Sequence, residues 1–232
     1  MKKHGKKYRA IEKKVEQKQH SLAEAVGFIK ENQAAKFDET MDIAFRLGID
    51  FKKSEQSVRG LVTLPHGTGK SVRVLVFATG PAADAARANG ADVVGFEDVI
   101  AKIQGGWLDF DVAIATADAM KEVRKLGKFL GPRGLMPNPK TGTVTDDIAT
   151  AVKQFKAGRV EFRMDRHGNV MVPFGKRSFD AAKLIENAQA IIDAVAAARP
   201  AAAKGVFIKR CVVSSTMGPG LQVHVREAAV AE

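Results

Sequence analysis

The sequence predicts a two-domain protein of mixed α+β and α/β class. A discontinuous antiparallel-sheet domain with two helices, residues 1–66 and 159–232, carries an inserted three-layer α/β domain with a mainly parallel sheet, residues 67–158. Three observations predict this. Residues 41–50 and 160–165 alternate strictly between apolar and polar, the period of strands with one covered face. Residues 70–157 instead interleave short continuous apolar runs with helical segments, as when helices cover both faces of a sheet. Glycines stand where the pattern changes and where it changes back, so Gly67 and Gly158 are the expected hinge between the domains.

The elements follow in order. Residues 1–20 hold eight Lys or Arg against Glu12 and Glu16, a basic arm that either solubilises or meets a polyanion. Ser21-Leu22-Ala23-Glu24 is a capping box, and Leu22, Ala25, Val26 and Ile29 recur on one helical face as far as about Asn32. In the break that follows, Phe37 is either a core residue at a strand entrance or an exposed ring on which a ribose or base stacks. Met41, Ile43, Phe45, Leu47 and Ile49 then face one way, and Asp42, Ala44, Arg46, Gly48 and Asp50 the other. A second strand spans Val58 to Leu64.

Within the inserted block, strands are expected at 71–78, 93–94 and 112–115, and helices at 82–89, 96–103, 119–126 and 146–156. Between the last two helices lies a Gly- and Pro-rich loop, Leu130 to Lys140, with Lys128, Arg133 and Lys140 as its cations. Beyond Gly158, a strand alternating through Val160, Phe162 and Met164 is turned by Arg166-His167-Gly168-Asn169 into Val170-Met171-Val172, the outline of a hairpin. A long helix is expected behind Ser178, with Pro200 as its stop. Last comes a strand, loop and strand in which Cys211-Val212-Val213 leads into Ser214, Ser215, Thr216, Met217 and Gly218-Pro219-Gly220, and alternation resumes at Leu221. That tip is either a tight turn with solvated hydroxyls or a surface of donors, a flexible apolar knob and a bare glycine suited to sugars, phosphates and bases.

Charge is uneven. Over residues 1–66 there are 14 Lys and Arg against nine acids, over 67–158 twelve against ten, and over 159–232 eleven against seven. The split domain therefore holds +9 of the net +11, and a polyanion would find its main site there. The single Cys211 excludes an intramolecular disulfide framework and points to a reducing compartment. With no apolar run of membrane-spanning length and a lysine-rich start, the expected location is the cytoplasm, with no membrane partner.

Catalytic chemistry is not evident. Gly67-Thr68-Gly69-Lys70-Ser71 imitates the end of a phosphate-binding loop, but Leu64 stands where its first glycine is needed, and a strand rather than a helix should follow. Ala78-Thr79-Gly80-Pro81 lacks the dinucleotide glycine spacing. The five histidines, His4, His20, His66, His167 and His224, are too scattered for a metal site. Asp109 and Asp111 flank Phe110 as acids bounding a strand do. No enzyme, cofactor or metal is expected. The competing functional class is a small-molecule- or nucleotide-binding α/β protein with a basic partner surface.

The loop Lys128-Phe129-Leu130-Gly131-Pro132-Arg133-Gly134-Leu135-Met136-Pro137-Asn138, together with Lys36-Phe37-Asp38-Glu39-Thr40 and Thr216-Met217-Gly218-Pro219, resembles the bacterial large-subunit ribosomal protein L-one family. The likeness runs from Lys3-His4-Gly5-Lys6 onward. It implies a non-enzymatic protein, monomeric when free, that binds large-subunit ribosomal RNA at a mobile stalk beside the transfer RNA exit site. It further implies repression of translation through the messenger RNA of the protein's own operon. By motif, the RNA-binding surface then comprises Lys36, Phe37, Thr40, Ser215, Thr216, Met217 and Gly218. Serines stand at 214 and 215 where this family often has threonines. Lys3 and Lys6 of the arm and Arg163 and His167 near the strand turn complete the candidate set, and Lys128, Arg133 and Lys140 are the candidate transfer RNA contacts.

Overall fold

The computed structural model describes residues 5–16, 18–49, 57–201, 203 and 205–225. Contacts divide the chain into two compact units, Met1–Gly69 with Val160–Glu232, and Lys70–Arg159. In chain order the elements are α1 (Lys6–Glu12), α2 (Leu22–Glu31), β1 (Thr40–Leu47), β2 (Arg59–Thr63) and β3 (Val74–Phe77). Next come α3 (Pro81–Ala88), β4 (Val93–Gly95), α4 (Glu97–Gln104), β5 (Val112–Ala115), α5 (Met120–Val123), α6 (Gly127–Leu130) and α7 (Ile148–Lys156). The chain finishes with β6 (Arg159–Arg163), β7 (Asn169–Lys176), α8 (Ala181–Ala197), β8 (Ile208–Ser215) and β9 (Leu221–Val223).

In the first unit, the alternation of β1 buries Met41, Ile43, Phe45 and Leu47 and leaves Asp42, Ala44 and Arg46 on the other face. Antiparallel neighbours repeat the pattern, giving a four-stranded sheet in the order β7-β1-β8-β9. The apolar stripes of α2 and α8 cover its inner face, so Val26, Ile29, Leu184, Ile191 and Val195 close one core with the inward side chains of the strands. The entrance of α2 is fixed by its capping box, with Ser21 Oγ accepting from Glu24 N at 3.2 Å and Ser21 N donating to Glu24 Oε2 at 3.0 Å. At the open edge, β7 bulges where Met41 pairs with Gly175 and Asp42 with Pro173. An edge strand tolerates this proline because no ladder bond needs its missing N–H. The opposite edge is extended by the chain before α2, where His20 N donates to Gln222 O at 2.8 Å and His224 N to His20 O at 3.0 Å.

Cys211 lies in this core at 2% exposure, and burial pushes its thiol from 9.0 up to about 12. A raised folded pKa stabilises the native state at every pH below the unfolded value, and that contribution is lost as pH climbs from about 9 to about 12. At pH 8 a water-soluble disulfide reagent is expected to label the native protein only at the rate of opening, and the urea-unfolded chain at once. Prompt labelling of the native protein would contradict the burial.

Three sequence expectations change here. The strands on either side of Arg166-His167-Gly168 do not form a hairpin: β6 pairs with β2 in a separate two-stranded sheet, while β7 pairs with β1. A local cause is visible at Gly60, where an added Cβ would stand 2.5 Å from the Phe162 ring, so only glycine in β2 lets that aromatic lie across the strand. Ser178 does not cap α8, which begins at Ala181 behind Asp180, because its N–H and hydroxyl are given to Asp38 at 3.0 and 2.8 Å. Part of the basic arm is helical, α1, with Ile11 buried.

The second unit is three layers. Its sheet is parallel in the order β4-β3-β5, and every residue of β3 is buried, since helices lie on both sides. Leu75, Phe77, Ala113 and Ala115 pack with α4, α5 and α6, whereas Val74, Val76 and Ile114 pack with α3 and α7. The expected helix over 119–126 is instead α5, a 3₁₀ turn at Arg124–Leu126 and then α6, which reaches Leu130. The tighter turn stacks Leu126 above Val123, and both are fully buried. Asp109 and Asp111 hold the sheet's entrance, since both pair with Arg73 at the start of β3, and Asp111 also takes the Lys70 ammonium at 3.2 Å. Among the described residues no helix is long and apolar enough to cross a membrane, and no group of His, Cys, Asp or Glu is arranged to hold a metal.

Candidate nucleic-acid interface

Two segments 176 residues apart in sequence are tied together at one end of the four-stranded sheet. Thr40 N donates to Thr216 Oγ1 at 3.1 Å, Thr216 N donates to Thr40 O at 3.1 Å, and the Thr216 hydroxyl donates back to Thr40 O at 3.2 Å. One residue on, Met217 N donates to Glu39 Oε1 at 3.0 Å. The pairing continues into the sheet, where Met41 faces Ser215 and Asp42 faces Ser214. Around these bonds the chain presents Lys36, Phe37 and Met217 to solvent, the two apolar side chains at 54% and 55% exposure. Phe37 is thus the exposed ring rather than the strand-entrance core residue, and Met217 is the exposed knob.

The hydroxyls are less free than the sequence suggests. Thr216 is exposed, but its hydroxyl both gives to and takes from Thr40, so its first role is to hold the two segments together. The Thr40 hydroxyl receives the Lys176 ammonium at 2.8 Å. Ser215 is buried at 5% exposure, and its Oγ would meet a Cβ added to Gly218 at 2.5 Å. The Ser215 side chain therefore supports the turn from beneath, and Gly218 is the residue type that fits above it.

The remaining candidates divide. His167 is exposed in the turn before β7, whose Gly168 O accepts from Leu47 N at 2.8 Å. That sets it at the far end of β1, roughly 20 Å along the strand from Thr40 at about 3.3 Å per residue. Arg163 ends β6 on the separate sheet, exposed, and the structure does not bring it to the loop pair. Lys6 is exposed on α1, and the arm is tied to the end of α2 by Lys14 Nζ to Asn32 Oδ1 at 3.2 Å. Lys3 lies outside the described residues.

Several residues of this surface were not singled out from sequence. Glu39 is fully buried, and its second oxygen finds no hydrogen-bond donor among the described residues. Its backbone carbonyl receives Arg177 N at 2.9 Å, which fastens the β7–α8 junction to the same segment. From the loop pair, the outer face of the sheet runs through Asp42 and Ala44 to a shallow hollow of about 510 Å³ bordered by Arg46, Asn169, Met171, Arg210 and Val212. Met171, 69% exposed, stands among these cations, and Arg46 Nη1 donates to Asn169 Oδ1 at 3.2 Å. Burial raises the Asp42 carboxyl above its usual range, with the Lys176 ammonium opposing the shift. The wet side of β1 was legible as Asp42, Ala44 and Arg46; that β7 and β8 would flank it was not.

In the second unit, the Gly- and Pro-rich loop is anchored at both ends. Leu130 and Pro137 are buried, Leu135 N donates to Leu130 O at 3.0 Å, and Asn138 N donates to Thr143 Oγ1 at 2.7 Å. Between the anchors Gly131 to Gly134 project, exposing Arg133, with Lys128 and the 40% exposed Phe129 just before. Lys140 sits in the 3₁₀ turn Pro139–Thr141, and its side chain is outside the described set.

Residues 29–219, from within α2 to the turn after β8, match the family model described as ribosomal protein L1p/L10e. The chain belongs to the ribosomal protein L1p/L10e family. As a member of that family it is a structural, ribosomal RNA-binding protein of the large ribosomal subunit, located with that particle in the cytoplasm. The L1p/L10e match includes both halves of the paired loops and the anchored loop of the second unit.

Proposed function

We propose that the loop pair and the outer sheet face of the first unit form the surface that holds large-subunit ribosomal RNA, at a mobile stalk beside the transfer RNA exit site. The observation that carries this is the exposure of Phe37 and Met217 on segments joined by Thr40–Thr216 bonds. Folded RNA is read by shape, 2′-hydroxyls and stacking, and two exposed apolar groups near Lys36 and Lys176, with Arg46 and Arg210 further along the same sheet face, suit such recognition. Lys36, Phe37, Thr40, Met217 and Gly218 are assigned direct contact. Thr216 and Ser215 shape the turn, Lys6 and Arg163 add longer-range attraction, and His167 is assigned a polar contact at the far end of the face. A ribonuclease footprint with and without the full chain tests the reading. Protection should vanish when Phe37 and Met217 are both replaced by alanine, and a footprint unchanged by that variant would overturn it.

In the same reading, Lys128, Arg133 and Lys140 of the second unit touch deacylated transfer RNA and help its release. Gly67 and Gly158, with φ of 66° and 105°, are the flexible crossings. Replacing the three cations together by alanine is expected to lower transfer RNA affinity about tenfold at about 50 mM salt and less at about 200 mM, as counterion release requires. Equal affinity by filter binding would remove the assignment. Repression of the operon follows if ribosomal and messenger RNA use one surface: free protein occupies the messenger only when ribosomal RNA is saturated. Ribosomal RNA should then displace a messenger leader fragment in competition, and a ternary complex would contradict a shared surface.

A further inference from the structure

Resting on the RNA-face reading, we infer that Asp42 is a specificity-determining residue of that face, its carboxylate accepting the paired N1–H and N2–H donors of an unstacked guanine. Asp42 lies on the open side of β1, between Thr40 and Ala44, opposite Ser214 of β8 and Pro173 of β7. Pro173 has no N–H to offer it. Lys176, whose charge acts on it, gives its ammonium to the Thr40 hydroxyl at 2.8 Å. Among the described residues none donates a hydrogen bond to the Asp42 carboxylate, although the side chain is partly buried and its acid form is favoured by that burial. Its oxygens are not among the sealed, partnerless polar atoms of the described residues, so water reaches them, and a ligand with two parallel donors would replace that water with charge-assisted bonds.

The sign of the charge selects the ligand. An anion beside Lys176, on a face that carries Arg46 and Arg210 further along, repels phosphate, so it does not serve general RNA attraction. A carboxylate only accepts, and its two oxygens match two parallel N–H groups. Of the four bases, guanine alone carries two adjacent N–H donors on its Watson–Crick edge. Adenine and cytosine each pair one amino group with a ring acceptor, and uracil flanks its single N–H with carbonyls. A ribose 2′-hydroxyl gives one donor.

The experiment uses the full chain, transcribed large-subunit ribosomal RNA and an unrelated duplex RNA. Asp42→Asn is expected to bind the ribosomal RNA about tenfold or more weakly, as for loss of one bidentate base contact, and the unrelated duplex as tightly as before or more so. Simple charge balance predicts the reverse, tighter binding to both, and that result or unchanged ribosomal RNA affinity would overturn the assignment. Independently of any variant, interference mapping with inosine phosphorothioates should show at least one guanine whose N2 amino group the native protein needs. That signal should disappear with Asp42→Asn. Absence of any such guanine, or suppression of a 2′-deoxy signal in its place, would also overturn it. If replacing Phe37 and Met217 leaves ribosomal RNA binding intact, the RNA-face reading itself has failed; if that variant loses affinity and Asp42→Asn does not, only the guanine assignment has.

Discussion

Exchanging Phe37 and Met217 together for alanine is expected to weaken binding to large-subunit ribosomal RNA by roughly 30- to 700-fold. Each contact of a base with a stacking side chain contributes about 1–3 kcal/mol by truncation. The methionine lacks a π-face and belongs at the low end, so the pair amounts to about 2–4 kcal/mol, at about 1.4 kcal/mol per tenfold. Both side chains are more than half exposed and neither belongs to the hydrophobic core, so the unfolding midpoint should stay within about 1 °C. Fluorescence anisotropy at fixed salt, alongside a thermal melt, separates the two effects. A loss under threefold in a fully folded variant would remove both residues from the interface.

The largest effect on stability is expected at Asn187. This side chain is fully buried in α8, accepts His66 N at 3.1 Å and donates to Gly67 O at 2.9 Å and Phe174 O at 2.8 Å. It thereby fastens the stretch after β2, the edge strand β7 and α8 through one amide. Asn187→Leu keeps the branched shape at somewhat larger volume but leaves Phe174 O without a partner in the core and the partly buried His66 N and Gly67 O without theirs. At about 1–3 kcal/mol for a buried group left unsatisfied and less for the two that water can reach, the cost should be about 2–4 kcal/mol. Urea unfolding should show the midpoint falling with little change in slope. A loss below about 1 kcal/mol would mean that the junction at His66 and Gly67 holds without the amide.

Asn187 also marks a limit of sequence reading. In the pattern of α8 it is a polar residue one place from Ala188, and nothing in helical periodicity distinguishes a surface asparagine from one that takes three backbone partners. The alternation of β1 and the apolar runs of β3 and β5 were legible because burial on one face or two leaves different periods in the sequence. The capping box at Ser21 was legible because both of its bonds are local. Long-range pairing was not. The turn at 165–169 looks like a hairpin from either side, and what sends β6 to β2 is a glycine opposite Phe162, about 100 residues away. Ser178 looks like a helix cap, but an aspartate 140 residues earlier uses its donors. The same holds for the candidate interface. Phe37 and Met217 stand out as exposed apolar residues only once the sheet joins their segments, and Glu39 disappears beneath them for the same reason.

That two distant segments make one RNA-binding surface is tested most directly by amide chemical-shift mapping of the full chain during titration with a ribosomal RNA fragment that it protects. Shifts are expected to concentrate together at residues 36–42 and 214–218 and along Arg46, Met171 and Arg210, with α3 and α7 unmoved. Shifts confined to the second unit, or reaching only one of the two segments, would contradict a shared surface.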